Sequence, residues 1–504
     1  MNSLHFPGLE ISIALPLVGA ILVRFMRVPE RAQWVTVWIS ALTLCAAVGA
    51  SIDFGTLGSH AAHDRWDLSS ALLGHDLFVI DELSSPLIPL AALLYLATAV
   101  STLGSKVRRY SFAGNLASEG VLLATLSCRD PWSIIALLLV ATVFPYMELR
   151  ARNKPTRVYV LHMGLFGGLL LGGQLAAELS SQIPQLSMVA TALLTVAVLI
   201  RSGVCPVHCW MTDLFEHATF GTALLFVTPM VGAYATVHLV LPIASDWVLR
   251  TIAIASVCTA VYSAGMALVQ REARRFFCYL LLSHSSLVLV GLEIATPIGL
   301  TGALSVWVSV GLALSGFGLT LRSMEARVGR ISLTKFHGLY EHTPMLAAFF
   351  LLTGLASVGF PGTFGFVGTE LLIDGVVEAY PMVGFAVVLA AALNGIAVMQ
   401  AYFRVFTGAK HFATISLGCR LPERLAVLTL AALIIGGGLL PQPGITSRYH
   451  AAVELLRSRG HSLNGQHQHS ATRQPSSAHP SGTGIDLGIV RTQELPAILH
   501  HARK

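Results

Sequence analysis

Six ionisable side chains sit within or beside stretches that are otherwise apolar: Glu119, Arg201, His208, His238, His284 and Glu370. Burying such a group in hydrocarbon is costly, so each marks a candidate step on a proton or ion pathway rather than a solvated surface. A carboxylate or an imidazole can give up and regain a proton near neutral pH, whereas a guanidinium stays charged. Arg201 is therefore a fixed positive charge. It could hold a carboxylate ionised, bias a neighbouring histidine or bind an anion, and a structural ion pair with Glu119 or Glu216 is the plainer alternative. His208 suits either a relay or a hydrogen bond to backbone freed by a helix break. His238, His284 and Glu370 suit water-linked transfer.

Metal and redox chemistry find little support. Cys205 and Cys209 flank His208, but no second ligand cluster accompanies them, and small cysteines buried in a membrane helix are the better reading. No nucleotide loop, Rossmann fingerprint, iron–sulfur spacing or catalytic triad occurs, so no cofactor and no metal is expected in this chain.

These residues must be positioned by membrane helices. With 504 residues, 54% hydrophobic and only 12% charged, the chain has too few charges to cover a soluble globule. Fourteen apolar stretches are long enough to cross a bilayer, beginning near residues 8, 34, 83, 112, 131, 157, 186, 218, 250, 276, 299, 344, 380 and 423. The first carries Glu10 and no small-residue cleavage site, which reads as a retained helix. A net charge of +6 raises nucleic acid as a partner, but the placement of the basic residues speaks otherwise. Odd-numbered loops hold 21 Lys and Arg, as in Arg150, Arg152, Lys154 and Arg157, and even-numbered loops hold 3. This asymmetry predicts a multi-pass protein of the cell inner (plasma) membrane with both termini on the outer, periplasmic side.

Two segments are interrupted alike: "LIRSGVCPVHCWMTD" around Pro206 and "ASVGFPGTFGFVGTE" around Pro361, 155 residues apart. Broken helices at membrane depth need cavities or polar partners, and paired breaks are a signature of repeat-built transporters. The expected fold is an all-α polytopic membrane protein of about fourteen transmembrane helices, with helices 7 and 12 broken. Residues 1–111 form an N-terminal three-helix region, 112–243 and 244–408 two inverted five-helix repeats, and 409–442 a last helix. Residues 443–504 read as a polar, disordered tail whose His461, His467, His469 and His479 are solvated; a short surface helix near "RYHAAVELLRSR" is the exception.

The motifs carry a family resemblance. "RSGVCPVHCWMTDLFEHAT" resembles the K-x-P-x-x-P-x-H-x-W-L-P-D stretch of the antiporter-like membrane subunits of respiratory complex I and of multi-subunit cation/proton antiporters. "FVIDELS", Glu119 followed by "RDPW", "LVQREARRFFCYLLLSHSSLVLVGL" and "HGLYEHTPMLAAFFLLTGLASVGFPGTFGFVGTELLIDG" are similar to further motifs of that family, the last to its M-type subunit. The resemblance implies fourteen helices, two inverted five-helix bundles and a central chain of ionisable groups relaying protons. That chain is altered here. The fifth-helix glutamate falls at Leu139 or Val140, with Glu148 about two turns beyond. The seventh-helix lysine is Arg201, the eighth-helix Lys or His is Phe226 or Pro229, the eleventh-helix histidine is Val310, and the twelfth-helix position is Thr369 beside Glu370.

The resemblance points to a proton-translocating M- or L-like subunit of a multi-subunit energy-converting complex such as NADH-quinone oxidoreductase. Partners would be other membrane and peripheral redox subunits, the lipid bilayer and protons. Two alternatives remain. One is the membrane subunit of a proton-motive-force-driven inorganic carbon uptake complex with a soluble zinc protein, the other a non-conducting structural membrane subunit.

Overall fold

The computed structural model describes residues 2–65, 77–103, 107–108, 110–294, 296–409 and 418–471. Each of the fourteen apolar stretches is helical. Helices α1 (Gly8–Arg24), α2 (Pro29–Leu57), α3 (Ser84–Val100), α4 (Phe112–Ser127), α5 (Pro131–Ala151) and α6 (Arg157–Leu179) are single pieces. The seventh stretch is split into α7 (Leu186–Ser202) and α8 (Cys209–His217). The eighth comprises α9 (Phe220–Val227), α10 (Val231–Ala235) and a π-turn (Thr236–Val240). Then come α11 (Asp246–Val269), α12 (Ala273–Leu292) and α13 (Pro297–Val328), followed by a split twelfth stretch, α14 (Pro344–Val358) and α15 (Phe364–Ala379). Helices α16 (Pro381–Phe406), α17 (Leu421–Leu439) and α18 (Gln442–Ala471) complete the order.

Local chemistry sets the helix starts. Pro29, Pro131, Pro297, Pro344 and Pro381 occupy first-turn positions, where a missing N–H costs nothing. Ser111, Asp130, Thr219 and Thr296 accept a backbone N–H from Gly114, Ser133, Thr222 and Gly299. Among the described residues, nine helical stretches are long and apolar enough to cross a membrane. They differ in what surrounds them. Helices α12 and α13 are 94% buried over their apolar windows and form the centre, whereas α2, α5 and α6 are 28% buried. Their outer faces present large apolar groups such as Trp34, Trp38 and Leu161, the composition hydrocarbon requires.

Both predicted breaks are present and built alike. Helix α7 stops at Gly203 (φ +73°) and α14 at Gly359 (φ +87°), left-handed positions that glycine adopts without a Cβ penalty. At each stop the next N–H reaches back five residues, Val204 to the Leu199 carbonyl at 3.0 Å and Phe360 to that of Leu355 at 3.2 Å. This is the Schellman closure, which satisfies carbonyls that a helix end leaves open. The proline then follows and prevents the helix from resuming at once.

Three features depart from the sequence reading. A small sheet forms, with β1 (Asn2–Leu4) parallel to β2 (Ala61–Asp64) and β2 antiparallel to β3 (Ile80–Asp81). The eighth stretch is a third broken helix, interrupted at Pro229 with Met230 left-handed (φ +52°).

The third departure lies within residues 443–504: the short helix expected near 448–459 runs from Gln442 to Ala471, and residues 472–504 lie outside the described residues. The helix is held by contacts that composition did not reveal. Buried Arg448 donates to the Glu82 and Leu83 carbonyls, and buried Arg459 pairs with Asp246 at 2.5 Å. His479 lies outside the described residues.

Candidate functional site

The seventh-stretch break frees backbone groups, and neighbouring side chains take them up. Trp210 Nε1 donates to the Ile200 carbonyl at 2.8 Å, and Thr259 Oγ1 accepts from the Cys205 N–H at 3.1 Å. The break at Pro229 is served in the same way. In an unbroken helix the Phe226 carbonyl would accept from the Met230 N–H, but that N–H turns to Val227. Arg201 Nη2 takes the orphaned Phe226 oxygen at 3.0 Å, and Trp307 Nε1 takes that of Pro229 at 3.3 Å. The guanidinium carbon of Arg201 lies 4.1 Å from the Phe226 ring centre and 5.5 Å from that of Trp210, a cation–π arrangement.

Arg201 is 4% exposed, yet it faces a cavity of about 730 Å³ among α1, α4, α5, α7 and α9. Tyr95, Asn115 and Ser118 add polar groups to the wall, and Arg24, Arg108, Arg152 and Lys154 also line it. Its carboxylate, Glu148, accepts from the Thr219 N–H at 2.6 Å and from Thr222 Oγ1, and pairs with Arg152 at 3.4 Å. Glu148 thus sits at the N-terminus of α9, where an anion is favoured.

The ion pair of Arg201 with Glu119 or Glu216, the alternative reading, is not made among the described residues. Glu216 pairs with Arg275. Glu119 is fully buried on α4 and turns to α2, where its Oε2 accepts from Ser40 Oγ at 2.8 Å; its Oε1 has no partner among the described residues. Nor does His208 join the Arg201 cavity. Its ring packs against Tyr262 and Tyr279, with centroids at 5.6 and 6.0 Å, and it also interacts with the Pro206 backbone, beside the bonds that Trp210 and Thr259 make to the freed backbone groups.

In the second half, His284 is buried on α12 with Nδ1 3.1 Å from Asn394 Nδ2 of α16, while Asn394 also donates to Ser283 Oγ at 2.9 Å. His238 lies in the π-turn, its ring 4.3 Å from that of Tyr234 and close enough to feel the charges of Asp81 and Arg129; the last two are paired at 2.8 Å. Glu370 lies on α15 with its side chain exposed. Thr369, its neighbour, instead packs on Gly359 at the break.

Two charged groups inside the molecule escaped sequence reasoning. Glu293 is 5% exposed at the end of α12, with neither carboxylate oxygen hydrogen-bonded among the described residues. Arg322 ties α13 to α3 and the residues that follow it through the Thr98 carbonyl and Thr102 Oγ1, both at 2.8 Å. A signal was available for Arg322, since it follows an apolar run without any intervening turn residue. Among the described residues no three His, Cys, Asp or Glu groups cluster as metal ligands would.

This arrangement matches known proteins. Residues 165–394 match the family described as NADH:quinone oxidoreductase/Mrp antiporter, TM. NADH-quinone oxidoreductase subunit M of Rickettsia prowazekii is 28% identical over 272 residues, which is 52% of this chain and 54% of that subunit, so the chain spans about half the length of this relative. NAD(P)H-quinone oxidoreductase chain 4 1 of Synechococcus sp. is 28% identical over 485 residues, covering 88% of this chain and 91% of that one. A chain in the structure of the Mrp complex from Dietzia sp. superposes with a TM-score of 0.77 at 19% identity, over 90% of this chain and 99% of that chain. The helix breaks and the buried carboxyl of α4 accord with these likenesses: the chain is similar to the antiporter-like membrane subunits of the NADH:quinone oxidoreductase/Mrp antiporter family, with the family match lying on residues 165–394.

Proposed function

We propose that the chain is a proton-translocating subunit of a multi-subunit energy-converting membrane complex of the NADH-quinone oxidoreductase type. The observation that carries this reading is Glu119. A carboxyl fully enclosed by helices, with one oxygen on Ser40 and the other free, can take up a proton without giving up a partner. His284 on α12, bonded to Asn394 of α16, supplies a second exchangeable group. Arg201 acts between them as fixed charge and as carbonyl cap, not as a carrier.

The chain lacks nucleotide and iron–sulfur motifs, so we assign redox chemistry to partner subunits. We assign the chain to the inner membrane with both termini periplasmic. Two groupings support that orientation. Arg24, Arg108, Arg152 and Lys154, from loops 1, 3 and 5, converge on one cavity mouth. At the other end, the N-terminal strand pairs with loop 2, and α18 grips Glu82 and Asp246. We further read 112–243 and 244–408 as inverted five-helix repeats, supported by matching helix stops at Gly203 and Gly359.

The test is proton uptake by vesicles containing the assembled complex. Glu119→Gln keeps an acceptor for Ser40 but cannot exchange a proton, and uptake should fall to background while the complex still assembles. Uptake equal to the parent would overturn the proposal.

A further inference from the structure

The cavity in front of Arg201 is lined by five cations, Arg24, Arg108, Arg152, Lys154 and Arg201, against one carboxylate, Glu148. That carboxylate is already engaged by Arg152, Thr219 and Thr222. Among the described residues Arg24, Arg108, Lys154 and Arg201 have no carboxylate partner. Arg201 lines this cavity while more than nine-tenths buried, and it spends one donor on the Phe226 carbonyl, so the remaining N–H groups of its fork stay available for a ligand. Unneutralised cations around a low-dielectric cleft repel hydronium and concentrate anions. A guanidinium fork matches the paired oxygens of a carboxylate, carbonate or phosphate group.

We infer that this cavity is a binding site for an oxyanion, held at depth by Arg201 and drawn in by the cations of the mouth. The oxyanion is either a small free anion or the headgroup of an acidic lipid. A volume of about 730 Å³ admits either, the former with its hydration water. Ligand binding and proton uptake are read by different measurements, so the inference stands apart from translocation.

The test uses the full-length chain in phosphatidylcholine nanodiscs. Inorganic phosphate is titrated at constant ionic strength while the melting temperature is followed. In a second arm, native mass spectrometry counts phosphatidylglycerol retained against phosphatidylcholine. Saturable stabilisation by phosphate identifies a free oxyanion, and selective retention of phosphatidylglycerol identifies a lipid headgroup; either result supports the site. In Arg201→Gln the observed binding should weaken about ten-fold or more, and Arg201→Lys should retain part of it. Should Arg201→Gln fail to fold, Arg108→Gln at the exposed mouth carries the same expectation. Absence of saturable binding in both arms would overturn the inference, as would equal binding by the parent and the folded neutral variant.

Discussion

Trp210 and Arg201 perform one task at different carbonyls, satisfying backbone oxygens that the interruptions of the seventh and eighth stretches expose. Trp210→Phe keeps the ring over Phe226 and removes only the bond to Ile200. Chemical or thermal unfolding in detergent should register a loss of about 0.5–2 kcal/mol with the fold retained. Glu370→Gln, at an exposed position, should change stability by less than about 0.5 kcal/mol and leave proton uptake unaltered; a large effect on uptake would support Glu370 as a pathway residue. The sequence made both candidates equally visible but could not separate them. In a membrane helix the lipid-facing side is as apolar as the packed side, so the periodicity that reveals a soluble helix's core face is lost. Glu119 was identifiable from its motif and Arg201 from its isolation. Glu293 drew no notice because it ends an apolar run, which in sequence looks the same whether the helix end is wet or covered.

At the scale of elements, the two helix stops were legible because proline and glycine act locally, through a fixed φ and a missing Cβ. The eighth-stretch break rests on Pro229 as well, but there apolar residues continue on both sides and only the left-handed Met230 exposes the interruption. The stops also differ in tolerance. A Cβ at Gly203 would meet the mobile end of Met211 at 2.8 Å, whereas one at Gly359 would meet the β-branched Thr369 at 2.9 Å and 3.2 Å. Both Gly→Ala variants should lose about 1–2 kcal/mol for a left-handed alanine, and Gly359→Ala should lose more than Gly203→Ala. Paired melting curves in the same detergent decide the order; equal losses would mean that Thr369 yields as readily as Met211.

Across the whole molecule, helix order could be read along the chain but the long-range ties could not, since they join residues far apart in sequence. Arg327 of α13 and Glu423 of α17 form a buried pair, 8% and 3% exposed, with Nη1 2.8 Å from Oε1. Removing one partner strands a charge, so Glu423→Ala should cost about 3–5 kcal/mol, while the double change Arg327→Met with Glu423→Leu should recover most of it. Failure of the double variant to recover would mean that the pair also fixes the entry to α17, where Glu423 accepts from the Arg420 N–H.

Helix α18 has a mechanical consequence. Arg448 fastens it beside α3 and Arg459 fastens it at the start of α11, eleven residues or roughly 16 Å further along a rigid rod. This splint ties the residues that open α3 to the start of α11, at the end of the molecule that holds loop 2 rather than loops 1, 3 and 5. If the halves rock, the splinted rim is the fulcrum and the excursion grows with distance from it. The widest opening then falls at the cation-lined mouth, and the free travel of the machine is set by a helix whose composition resembles a disposable tail.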